Sequence, residues 1–170
     1  MNAPAREPLI IGIGSPHGDD QAGWLVVDEL SSHGAVNARK VANGVELLSA
    51  LEGAADAVIV DASAPCGVPG RVRWFAWPIG DLAAVQPIST HGLGLVEALR
   101  LADALRLAPR RLTIVTVEAS TVGPELPVSQ SVRTAVASLA NDLATLDSAV
   151  AFQSTGPVAS ATDACTRLRS

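Results

Sequence analysis

The 170-residue sequence has two cysteines, Cys66 and Cys165, too few for a disulfide framework, so a reducing, cytoplasmic compartment is expected. It has no apolar run long enough to span a bilayer. Its first eight residues carry an acid and two prolines where a signal peptide needs an unbroken apolar core, so neither export nor membrane anchoring is expected. Twelve basic residues stand against 17 acidic ones, a net charge of -5, and they form no basic stripe. A nucleic-acid partner is therefore not expected. There is no internal repeat and no G-x-S-x-G nucleophile elbow. The first loop also misses the G-x-G-x-x-G dinucleotide pattern: Gly12 and Gly14 are present, but Gly18 comes one place late.

What remains is a chain with 48% hydrophobic and 17% charged residues, a composition that suits one packed α/β domain. Residues 9–13 form a short continuous apolar run, as in a parallel strand covered on both faces, and residues 57–60 and 112–117 repeat the pattern. Residues 36–41 read as an edge strand, and residues 71–77 alternate as a strand with one more exposed face. Helices are expected over residues 20–32, with Ala22, Leu25, Val26 and Leu30 facing inward, over 45–51, from Leu95 through Leu105, and over 129–146. The expected fold is a three-layer α/β/α sandwich with a mostly parallel twisted sheet. It comprises residues 1–147 as a single domain, with residues 148–170 as a disordered tail rich in Ser, Thr and Ala.

Ligands of such sheets bind at the carboxyl ends of the strands. That rule gathers Asp19 and Asp20 after the first strand, Asp61 closing another, and His91 ahead of a helix. Two carboxylates and one imidazole suit a borderline divalent ion such as nickel or zinc and leave coordination positions open. Each residue also has a plainer role available. Asp20 can cap a helix, Asp61 can form an Asx-turn with Ser63, and His91 can be a bystander in a capping sequence. His17 is a rival ligand in the same loop, Glu118 ends the last strand beside the crevice, and Cys66 has no histidine near in sequence to activate it. Trp74 and Trp77 fall on opposite faces of their strand, with Arg71 and Arg73 on the face of Trp77 as a possible docking patch.

The ordered segments "GIGSPHGDDQAG", "VIVDASAPCGVPGRV", "STHGLGLVEALRLA" and "TIVTVEAS" resemble the hydrogenase maturation proteases, the nickel-dependent endopeptidases that trim the C-terminus of the large subunit of nickel-iron hydrogenases. The resemblance extends over most of residues 8–145 and implies a phosphorylase/hydrolase-like α/β/α fold. It implies that Asp20, Asp61 and His91 are the catalytic and metal-contacting residues, touching nickel already carried by the large-subunit precursor. Asn43 and Gly44 fall in the segment matching the family's substrate-recognition stretch, and Glu118 is a further candidate for substrate contact. A monomer that meets its precursor transiently is expected. Two rivals stand beside this reading: a metal-dependent hydrolase of small molecules, and a non-catalytic chaperone that binds the large subunit.

Overall fold

Strand β1 (Leu9–Ile13) is buried along its whole length because both its faces are covered. A computed structural model describes residues 7–34, 37–79, 94–120, 123 and 126–145. From β1 the chain passes through a loop and a 3-10 turn, Gly18–Gln21, into helix α1 (Ala22–Ser32), then β2 (Ala38–Val41), α2 (Gly44–Leu51) and β3 (Asp56–Ser63). The second half adds β4 (Val72–Ala76), α3 (Leu95–Ala104), β5 (Arg111–Glu118) and α4 (Gln130–Ala144). The strands form one five-stranded sheet in the order β2-β1-β3-β5-β4. The pairs β1·β2, β1·β3 and β3·β5 are parallel, and β4 closes one edge antiparallel to β5. The expected α/β layering is present.

Side-chain alternation along the strands builds two cores. Ile11, Ile59 and Ile114 point to the layer of α2 and α3, where Leu47, Leu51, Leu95 and Leu99 meet them. Val58, Val60, Val115 and Val117 point the other way, onto Val26 and Leu30 of α1 and Val132, Val136 and Leu139 of α4. At the amino ends of β3 and β5, Arg111 clamps Asp56 with Nε to Oδ1 at 2.7 Å and Nη2 to Oδ2 at 2.6 Å. The hydrogen bond from Arg111 holds the Asp56 carboxyl below the ordinary aspartate range.

Several boundaries differ from the expectation. Helix α1 begins at Ala22, since residues 18–21 wind more tightly, and its N-cap position is Gln21, not Asp20. Val27 takes the buried place expected of Leu25, which is half-buried. Strand β3 does not close at Asp61 but runs on to Ser63, paired with β5 as far as Glu118, so Asp61 lies in extended backbone and no Asx-turn forms there. Strand β2 is at an edge, as expected. His91 and the tail beyond residue 147 lie outside the described residues.

Candidate active site

The crest above the carboxyl ends of β1 and β3 is shaped by backbone contact. Gly12 of β1 and Gly23 of α1 interlock: a Cβ at Gly12 would sit 2.1 Å from the Gly23 carbonyl oxygen, and one at Gly23 would sit 2.2 Å from that of Ile13. The helix therefore starts against the strand, and the 3-10 turn before it is held over β3. Gly18 occupies the left-handed region (φ 52°), which favours glycine. A Cβ at Gly14 would sit 2.7 Å from the Asp20 carbonyl oxygen, so a close backbone approach or a left-handed φ accounts for Gly12, Gly14 and Gly18.

The adjacent carboxylates of that turn point to different partners. Asp19 is buried and turned into the protein: its Oδ2 accepts from the Ser120 N–H (2.7 Å) and Ser129 Oγ (2.9 Å), and its Oδ1 accepts from the Ser129 N–H (2.6 Å). It ties the crest to the end of β5 and to Ser129, the N-cap of α4. Asp20, 7% exposed, accepts from Ser15 Oγ through Oδ2. Asp61, 0% exposed, accepts at Oδ1 from the Ala62 N–H at 2.8 Å. Asp20 and Asp61 thus come from two elements in mutual contact at one end of the sheet. They supply carboxylate oxygens of the kind a divalent ion takes, and among the described residues no group of three metal-ligating side chains gathers. His17 is exposed in the loop before the turn.

Substituting Asp19 by Ala removes three hydrogen bonds to a charged acceptor and leaves two backbone N–H groups without it. A loss of ~3 kcal/mol or more is expected. For a domain of this size that corresponds to a melting temperature lower by roughly 10 °C, measured by thermal unfolding.

Glu118 ends β5 as expected, yet its carboxylate is turned inward, and sequence reasoning missed its partners. Oε1 accepts from the N–H groups of Cys66 and Val68, both at 2.7 Å, which fixes the loop after β3. Oε2 faces Arg73 Nη2 at 3.4 Å and Arg71 Nε at 3.9 Å. Asn43 caps α2, accepting from the N–H groups of Val45 and Glu46 (3.0 Å each), while Glu46 accepts from the Ala42 N–H (2.8 Å) and from Asn43 Nδ2 (3.0 Å). The cap leaves Gly44 buried and Val45 70% exposed, beside the crest loop, whose Gly14 N–H donates to the Val41 carbonyl at 3.2 Å.

The model of the hydrogenase maturation protease family matches residues 42–145 of this chain. No curated protein sequence matches it. Among solved structures, the nickel-iron hydrogenase maturation protease HybD from Thermococcus kodakarensis superposes with a TM-score of 0.68 at 26% identity, covering 82% of this chain and 99% of that one. The hydrogenase 2 maturation peptidase from Thaumarchaeota archaeon SCGC_AB-539-E09 gives 0.59 at 24% identity, covering 81% and 95%. HybD from E. coli gives 0.60 at 19% identity, covering 81% and 90%. The last two, below a quarter identical, show the fold alone. With the family match spanning more than half of its length, the chain belongs to the hydrogenase maturation proteases and is a hydrolase of the endopeptidase class.

Proposed function

We propose that this endopeptidase removes the C-terminal extension from the large-subunit precursor of a nickel-iron hydrogenase after nickel has been inserted. The observation that supports this most directly is the pair of buried carboxylates, Asp20 and Asp61, brought from two elements to one end of the sheet in a member of this family. In this reading the nickel is part of the substrate. Asp20 and Asp61, with His91 as the third contact, bind it and leave positions open for the ligands the precursor carries. The hydrolytic step adds water across the scissile peptide bond: water oxygen joins the carbonyl carbon, the C–N bond breaks, and the departing nitrogen takes a proton. The three residues hold the nickel centre so that the scissile carbonyl stays in one place. Asn43 and Gly44 act in recognition through the turn they shape, which presents Val45 to the precursor. The protein works as a cytoplasmic monomer that meets its substrate transiently.

The test is to incubate the purified protein with nickel-loaded and nickel-free precursor and read the C-terminal mass of each. Loss of a short peptide from the loaded form alone is the expected result. Unchanged masses with a precursor that a related protease cuts would overturn the proposal in favour of a non-catalytic role.

A further inference from the structure

The sheet carries a second polar feature on the face of Asp61. The register places Ile59, Ile114 and Phe75 side by side across β3, β5 and β4, and these three pack toward the layer of α2 and α3. Two residues nearer the crest, the same face holds Asp61, Thr116 and Arg73 in one row across the same strands. One step further, Ser63 pairs with Glu118, and the Glu118 N–H donates to the Arg71 carbonyl (2.9 Å). The row is deeply buried at Asp61 and Thr116 and opens at β4, where the side chains of Arg73 and Arg71 are 29% and 35% exposed.

Among the described residues, the charges at the β4 end of this row do not balance. Glu118 gives Oε1 to two backbone N–H groups and offers only Oε2 to both guanidiniums, at 3.4 and 3.9 Å, so two cations share one anion through long contacts. A guanidinium carries five N–H donors in a fork that matches a carboxylate. In a chain of net charge -5, this is a local positive site at the open end of the row that begins at Asp61.

We infer that Arg71 and Arg73 form a subsite for a carboxylate of the precursor and set which precursor is cut. The inference rests on the proposed function. Asp61 and Arg73 stand two strands apart, roughly 10 Å at the usual strand spacing, and an extended peptide advances about 3.3 Å per residue. The carboxylate therefore belongs about three residues from the scissile bond. It is either an Asp or Glu side chain or a free chain terminus.

The test uses nickel-loaded precursor with Glu, Gln or Lys three residues to either side of the cleavage site, and peptides ending there with a free or an amidated carboxyl group. Wild-type protein should favour Glu over Gln by ~10-fold or more in kcat/KM, chiefly through KM, with Lys poorer still. The R71Q/R73Q/E118Q triple variant, which removes the buried acid together with its counter-charges, should treat Glu and Gln alike, and Arg73→Glu should shift the preference toward Lys. A preference that follows amidation instead of the side chain identifies the terminus as the source. Equal rates for Glu, Gln and Lys in wild type, with amidation also without effect, or a preference that survives in the triple variant, would overturn the subsite. Should no precursor be cut, the proposed function fails, and fluorescence anisotropy of the same acidic and amide peptides still decides the inference by whether their affinities differ.

Discussion

Asp61→Asn is expected to lower precursor processing by ~10³-fold with little change in the melting temperature, as read from C-terminal mass against time and from thermal unfolding. The change swaps one oxygen for nitrogen, keeps the shape of the side chain, and keeps an acceptor for the Ala62 N–H. What it removes is one carboxylate oxygen of a side chain that is 0% exposed. That oxygen is the donor a metal-bearing substrate would take from Asp61. Asp20→Asn should behave in the same way, since Ser15 Oγ can still donate to an amide oxygen. Asp19→Ala, one residue earlier, should lose stability, so the neighbouring acids separate into one that serves the fold and one that serves the reaction. Processing by Asp61→Asn at a rate near that of wild type would remove Asp61 from the site.

That division between Asp19 and Asp20 marks where the sequence stops being informative. Both residues read as one acidic pair after the first strand, and nothing local tells them apart. The partners that fix Asp19, Ser120 and Ser129, lie 101 and 110 positions away. Glu118 has the same history, with its loop partners about 50 positions distant. Buried strands were legible because parallel pairing covers both their faces and leaves apolar runs such as Leu9–Ile13. The end of β3 was not, because Asp61 and Ser63 look like a turn until eight consecutive pairings with β5 carry the strand through them. Nor does local alternation in β4 reveal that it runs antiparallel at the sheet edge, which is what brings Arg73 into the row of Asp61. Asp20 and Asp61 could be nominated from position alone, since both follow apolar runs at strand ends. Their approach depends on where α1 begins.

That start is set by Gly23, and Gly23→Ala is the substitution expected to damage the fold most. Inside an exposed helix, Ala is favoured over Gly by roughly 0.5–1 kcal/mol, so propensity alone predicts a gain. Here the new methyl would lie 2.2 Å from the Ile13 carbonyl oxygen and 2.5 Å from that of Val60, both backbone atoms of the two central strands. Neither strand can yield, being paired on both sides, so α1 must lift away from the sheet. Lifting it strips Val26 and Leu30 from the valine core and carries the turn bearing Asp19 and Asp20 away from β3. A loss of at least ~3 kcal/mol is expected, with Gly23→Val failing to fold. Gly53→Ala provides the contrast, for that residue has a left-handed φ of 75° but nothing within 4 Å of a new Cβ, and its cost should be only ~1–2 kcal/mol. Thermal or urea unfolding of the two alanine variants checks the order. If Gly23→Ala were the more stable of the two, the close seating of α1 on β1 and β3 would be wrong, and with it the placement of Asp20 over Asp61's strand.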